Sequence, residues 1–256
     1  MTGASSGIGK VYAEKLAQRG YDLVLVARDK ARLEALAERL REAGVKAEVM
    51  AADLTLSDDV AAVERKLEGD PALAVLINNA GIATMGPQLE TPVAAIEKLI
   101  ALNVTAATRL ALAAGRAFSA RKTGTIVNIG SVVSIYPERF NAVYSASKAH
   151  VLALTRALKF ELAQNGVTIQ AVLPGITRTE IWERSGRDPA SLNPDATMET
   201  EEMVDAALAG LELGELVTIP SLPDAQDLED YETARRKLAP NLSWKHAAAR
   251  YNVPRA

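Results

Sequence analysis

Short apolar, β-branched runs alternate along this chain with longer amphipathic ones. The runs at 21–27, 46–52, 73–78, 125–129, 167–173 and 215–219 predict strands. Several are apolar nearly throughout, as parallel strands covered on both faces are. Helical spacing at 8–19, 29–43, 57–68, 92–120 and 143–164 fills the intervals, with Ser57 as a helix N-cap and Gly44 as a stop. Strict alternation of this kind implies right-handed βαβ units, hence an α/β fold with a three-layer, doubly wound parallel sheet. No repeat, low-complexity tract or linker interrupts the pattern, so residues 1–256 read as a single domain. Past Ile181 the alternation breaks, and 182–197, rich in Gly, Pro, Asn, Ser and Asp, reads as a long loop.

Composition narrows the chemistry. The 256 residues are 48% hydrophobic and 24% charged with a net charge of -3, which describes a globular protein without a basic nucleic-acid surface. There is no cysteine, which removes disulfides, thiolate metal sites and cysteine nucleophiles. No apolar run is long enough to span a bilayer and no signal-like leader is present, so the expected location is the cytoplasm. His150 and His246 lack metal-ligand spacing and read as structural; no metal site is expected.

Five places carry chemistry, four of them at the carboxyl ends of predicted strands or just beyond. Gly3, Ser5, Ser6, Gly7, Ile8 and Gly9 form a G-x-x-x-G-x-G turn opening a helix, where backbone N–H groups and the helix dipole suit a pyrophosphate. An ordinary N-terminal turn has the same composition. Ala27 stands where an NAD site needs a carboxylate and Arg28 follows it, favouring NADP(H), although Asp29 lies one residue on and Arg28 alternatively reads as a solvated residue opening a helix. Asp53 and Leu54 follow the strand run 46–52, and Asn78, Asn79, Ala80 and Gly81 stand at the end of the run 73–78; both sites also fit plain turn chemistry. Ser131 places a hydroxyl at the same edge.

Within the helical run 143–164, Tyr144 and Lys148 are one turn apart and share a face. A neighbouring ammonium favours the phenolate, so the pair is a candidate acid/base device, or else a packed aromatic beside a solvated cation. Asn103 interrupts an apolar helix and must find partners, either by capping local backbone or by holding a water.

Taken together, the segment 2–9, the Asn78 to Gly81 turn, Asn103, Ser131, Tyr144-x-x-x-Lys148 and Pro174-Gly175 resemble, in order and spacing, the shorter dehydrogenase branch of the short-chain dehydrogenase/reductase family. The resemblance covers about 180 residues. It implies a Rossmann fold, hydride transfer between a nicotinamide and an alcohol or carbonyl carbon, and a catalytic tetrad of Asn103, Ser131, Tyr144 and Lys148. Tyr144 is then the proton donor or acceptor, Ser131 bonds the substrate oxygen, Lys148 lowers the Tyr144 pKa and holds the nicotinamide ribose, and Asn103 positions a water. Pro174, Gly175, Thr177 and Thr179 join the cofactor set, and a homodimer or homotetramer is implied through the long helices. A cofactor-binding sensor without turnover is the other function class; an intact tetrad favours the enzyme.

The substrate wall is expected from Val132, Val133, Ile135, Tyr136, Phe140, Ile181, Trp182 and Met198, with a substrate loop at 176–200. This implies a mainly apolar carbonyl or alcohol, although each residue also fits loop or interface packing. Arg139 and Arg178 are candidates for meeting an acidic substrate. The tail 220–256 carries a charged helical stretch and is expected either to cover the site or to pack on another subunit. A glycine-rich loop of this type follows the first strand of the sheet, and Met1 leaves no room for one. The sequence is therefore expected to be truncated, with a strand of roughly six to ten residues upstream.

Overall fold

The computed structural model describes residues 1–84 and 86–253, which fall into two compact units divided after Ser221. In the first, strands β1 (Leu23–Ala27) and β2 (Ala47–Ala51) pair in parallel, Leu23 opposite Ala47. A second parallel sheet runs in the order β3 (Val75–Asn78), β4 (Gly124–Ile129), β5 (Val167–Val172) and β6 (Val217–Thr218).

The two sheets meet at Met1 and Thr2. Thr2 forms a parallel bridge with Val26, its N–H donates to Ile77 O at 3.0 Å, and Val26 N–H donates to Met1 O at 2.9 Å. These two residues therefore hold the position between β1 and β3, where the connection reverses direction across the sheet. Such reversal points put ligands beyond the carboxyl ends of the strands.

Helices cover both faces. On one lie α1 (Gly7–Gln18), α2 (Lys30–Glu42) and α8 (Thr200–Glu212); on the other α3 (Ser57–Gly69), α5 (Ala107–Arg121) and α6 (Ala142–Ala163). Strand residues alternate between the two cores: Ile77 and Val127 pack with Leu33 and Met203, whereas Leu76 and Ile126 pack with Val63 and Leu110. The two-sided apolar strands produce the α/β/α sandwich that their sequence predicts. No helix among the described residues is long and apolar enough to cross a membrane.

Three local expectations change. The expected helix at 92–120 is α4 (Val93–Ile100), a π-helical turn at Ala101–Ala106, and then α5. The wider turn carries Asn103, and Ala107 O just after it accepts from Asn78 Nδ2 at 2.8 Å. Ser57 does not cap α3: Leu56 takes that position, and Ser57 Oγ accepts instead from Arg109 Nη1 at 3.0 Å. The segment read as an open loop is folded by the short α7 (Ile181–Arg184), by 3-10 turns at Pro189–Ser191 and Pro194–Ala196, and by a parallel bridge from Thr177 to Met198. Gly44 follows the end of α2 with φ 95°, a conformation that glycine adopts without strain.

The second unit contains α9 (Ala225–Lys237), N-capped by Asp224, whose side chain accepts from Gln226 N. Carboxylates fill its first turns, and its last turn carries Arg235, Arg236 and Lys237, matching the helix dipole.

Candidate active site

The glycine-rich turn leaves the seam and starts α1. Gly3 and Gly7 have φ values of 66° and 49°, which disfavour any side chain. A Cβ on Gly9 would overlap Gly3 O and come within 2.5 Å of Asn79 Nδ2, so the helix can begin there only with glycine. The turn is fastened by a residue that sequence reasoning did not single out. Thr2 Oγ1 accepts from the N–H groups of Asn79 (2.9 Å) and Ala80 (3.0 Å), while Asn79 Nδ2 donates to Thr2 O at 3.0 Å. The only signal for Thr2 was its place immediately before Gly3.

A cleft of about 940 Å³ opens over this turn and runs to α6. It is lined by Gly3, Ser5, Ser6, Gly7 and Ile8, by Arg28, by Asp53 and Leu54, and by Asn79, Ala80 and Gly81. Ser131, Tyr144, Lys148, Pro174, Gly175, Thr177 and Thr179 complete the wall. The sequence-derived cofactor and catalytic residues thus converge on one cavity, with three exceptions: Gly9 backs the turn, Asn78 is buried and donates to Ala107 O and Asn128 Oδ1, and Asn103, 2% exposed, lies behind the lining.

Asn103 clasps the strand end after Gly81. Its Oδ1 accepts from Ile82 N at 2.9 Å, and its Nδ2 donates to Ile82 O at 2.8 Å and to Ser147 Oγ at 3.2 Å. Ser147 Oγ in turn donates to Tyr144 O at 2.7 Å, tying the π turn to α6. Of the two roles open to Asn103, its side chain fills the backbone-capping one.

α6 starts at Asn141, whose Oδ1 accepts from Tyr144 N at 3.2 Å, and it delivers Tyr144 and Lys148 to the cleft one turn apart. The Tyr144 hydroxyl lies beside Ser131. Burial pushes the phenol up to about 12, with the neighbouring Ser131 hydroxyl pulling the other way. The Lys148 ammonium lies 5.7 Å from the Tyr144 ring centre and donates to Ile129 O at 2.9 Å; burial pulls its pKa down to about 8. The expectation that the Lys148 charge leaves Tyr144 with a depressed pKa is therefore corrected for the cofactor-free protein. Desolvation dominates both groups, raising the phenol and lowering the amine.

Toward the outer end, Val132, Val133, Phe140, Ile181 and Trp182 line the cleft as expected, joined by Ile176, Arg184 and Arg187. Trp182 is 8% exposed, donates from Nε1 to Thr177 O at 2.8 Å, and has the Arg187 guanidinium 5.6 Å above its ring. Ile135, Tyr136 and Met198 are not part of the wall. Tyr136 is exposed, and Met198 packs against the α1–α8 core. Arg178 pairs with Glu199 at 2.7 Å and is not in the lining, and the Arg139 side chain lies outside the described residues. His150 bonds Thr108 at 2.7 Å, and among the described residues no cluster could hold a metal ion.

A model of the short chain dehydrogenase family matches residues 1–190. The chain belongs to that family. This short-chain dehydrogenase is an NAD(P)-dependent oxidoreductase acting on a small-molecule substrate, with a Rossmann-type fold. It is 38% identical over 183 residues to galactitol 2-dehydrogenase (L-tagatose-forming) of Cereibacter sphaeroides, covering 71% of each chain. It is similar to a short-chain dehydrogenase from Sphingobium yanoikuyae solved with NADPH, at 51% identity and TM-score 0.94 over 97% of this chain and 96% of that one. It is also similar to the bulky-bulky ketone specific alcohol dehydrogenase from Comamonas testosteroni, at 45% identity and TM-score 0.90 over 98% and 96%. A dinucleotide fits the residues present: Gly3 and Gly7 take the positive φ that the turn needs, Gly3, Ser5, Ser6, Gly7 and Ile8 line the cleft at the start of α1, and the cleft continues from there to Tyr144.

Proposed function

We propose that this short-chain dehydrogenase interconverts a bulky, mainly apolar ketone and its secondary alcohol, using NADP(H), with Tyr144 as the acid/base. The observation that carries this reading is the half-buried Tyr144 on the wall of the cleft that starts at the glycine turn, with Ser131 beside its hydroxyl and Lys148 one turn along the same helix.

When bound, the nicotinamide supplies or accepts the hydride at the carbinol carbon. The protein's task is then the oxygen. In reduction, negative charge builds on the carbonyl oxygen, and Ser131 and Tyr144 are two hydroxyl donors able to meet it, Tyr144 giving up its proton. With a pKa near 12 in the cofactor-free cleft, Tyr144 keeps that proton throughout the neutral range. Lys148 holds its ammonium beside the ring, where it stabilises the phenolate as it forms. In oxidation, Tyr144 takes the proton back. Asn103 acts at one remove, fixing the Ile82 backbone and, through Ser147, the start of α6.

Preference for NADP(H) is supported by Arg28 and Arg32, both lining the cleft beside Ala27. The nearby Asp29 is engaged as the N-cap of α2, accepting from Arg32 N at 3.0 Å, and its other oxygen lies 3.4 Å from Arg32 Nε. The apolar wall of Val132, Val133, Phe140, Ile181 and Trp182 supports a bulky substrate, as does similarity to an enzyme described as specific for bulky-bulky ketones. The test is a panel of aryl and alkyl ketones, polyols and keto acids with NADPH and NADH, followed by absorbance of the reduced nicotinamide. The reading predicts NADPH oxidation with bulky uncharged ketones. Turnover confined to polyols would overturn the substrate class, and cofactor binding without turnover across the panel would favour a sensor.

A further inference from the structure

Arg32, one of the two cations beside Ala27, already has an anion on it. Its Nη1 donates to Glu180 Oε2 at 2.7 Å, and the same oxygen accepts from Arg184 Nη2 at 2.5 Å. Arg32 stands in the first turn of α2 and Glu180 immediately before α7, 148 residues further along the chain. All three residues line the cleft. The pair therefore joins the wall beside Ala27 to the wall that carries Trp182.

Exposed ion pairs are common and mostly of little consequence. Lys15–Asp205 and Arg19–Glu212 tie α1 to α8 in that way, Arg116–Glu68 ties α5 to α3, and none of these residues lines the cleft. Arg32–Glu180 differs in where it stands. The segment carrying Glu180 lies over the glycine turn, since a Cβ on Gly7 would come within 3.2 Å of Thr179. α2 begins just past the end of β1 at Ala27, the place where a dinucleotide site distinguishes a ribose 2′-phosphate from a 2′-hydroxyl. The Glu180 carboxylate thus occupies a donor that such a phosphate needs.

We propose that Glu180 is a specificity-determining residue that competes with the 2′-phosphate of NADP(H) for Arg32, so that cofactor binding uncouples α7 from α2. This rests on the NADP(H) preference already proposed and adds the residue that the phosphate must displace. Charge favours the exchange, because a phosphate brings close to two negative charges and a carboxylate one. Nothing is stranded by it: Glu180 keeps Arg184 one turn along, and Arg32 keeps Asp29 Oδ2 3.4 Å from its Nε. The side chains of Arg32 and Glu180 are 50% and 41% exposed, which makes the pair weak enough to give way. A cofactor without the phosphate leaves it in place.

The experiment measures binding of adenosine 2′,5′-bisphosphate and of 5′-AMP to the full chain by isothermal titration calorimetry, so that no turnover is read. Glu180→Gln should tighten the bisphosphate about two- to fivefold, the worth of an exposed ion pair, and leave 5′-AMP unchanged. In an Arg32→Ala background the same substitution should change neither. Glu183→Gln, which removes an exposed carboxylate of α7 outside the cleft lining, should also change neither. With Trp244→Phe, Trp182 is the sole indole, and its emission should respond to the bisphosphate and not to 5′-AMP. Wild-type protein that binds the two nucleotides equally overturns the NADP(H) preference and this proposal with it. A clear preference for the bisphosphate that Glu180→Gln leaves unchanged, or a gain that persists without Arg32 or is equalled by Glu183→Gln, overturns the proposal alone. So does Trp182 emission that answers both nucleotides alike.

Discussion

Lys148 gives the account a quantitative handle, because its burial costs stability that a neutral side chain recovers. The ammonium is 6% exposed, and desolvation takes it from its ordinary 10.5 to about 8. At ~1.4 kcal/mol per pH unit, holding it charged in the fold costs about 3 kcal/mol. Below pH 8 both folded and unfolded chains carry the proton, so the whole cost is present. Between about pH 8 and 10.5 only the unfolded chain holds it, and the cost fades as pH rises. Lys148→Met keeps the stem and removes the charge, at the loss of the hydrogen bond to Ile129 O, worth about 1 kcal/mol. The variant is therefore expected to be about 2 kcal/mol more stable at pH 7 and about equal to wild type at pH 9.5. In a domain of this size 2 kcal/mol corresponds to a melting shift of roughly 4–8 °C. Differential scanning calorimetry of both proteins at the two pH values reads it, with turnover expected to be lost. A variant that melts no higher than wild type at pH 7, or a gap of the same size at both pH values, refutes the desolvation argument.

Other predictions follow from single contacts. Gly9→Ala forces a Cβ against Gly3 O and Asn79, so NADPH affinity, measured by nicotinamide fluorescence, should fall more than tenfold. Arg28→Ala combined with Arg32→Ala removes the cations beside Ala27. Because charge-assisted hydrogen bonds are worth about 1.5–3 kcal/mol, NADPH affinity should drop at least about tenfold while NADH affinity holds. Trp182→Phe keeps the apolar bulk but loses the bond to Thr177 O, and should raise KM for a bulky ketone several-fold without changing cofactor affinity, as steady-state kinetics would show.

Much of this architecture is legible in the sequence for a simple reason. β3 to β5 are covered on both faces, so their apolar runs are unmistakable, and the intervening helices show a clear apolar stripe. The chemistry at strand ends is legible too, because Asp53, Asn79, Ser131 and Pro174 each follow a run that stops. What the pattern hides is local. The π turn at Ala101–Ala106 adds width without breaking apolar spacing, so one continuous helix was expected. α8 carries helical spacing at Thr200, Met203, Val204, Ala207 and Leu208, but the Gly-, Pro- and Asn-rich stretch just before it masks its start in the sequence. Ile135, Tyr136 and Met198 are apolar like the true wall residues, and only the fold separates those facing the cleft from those facing solvent or core. The effect of Lys148 on Tyr144 could not be read from spacing, since burial outweighs proximity for both groups.

The central claim is that Tyr144 moves the proton, and Tyr144→Phe tests it most directly. The ring and its packing against Phe140, with centroids 5.2 Å apart, survive, and only the hydroxyl beside Ser131 is lost. With a ketone that the wild-type protein reduces, the variant should bind NADPH within a few-fold of wild type while kcat falls about a thousandfold, the range expected for loss of a general acid. Reduction at near the wild-type rate by the Phe variant would contradict the account.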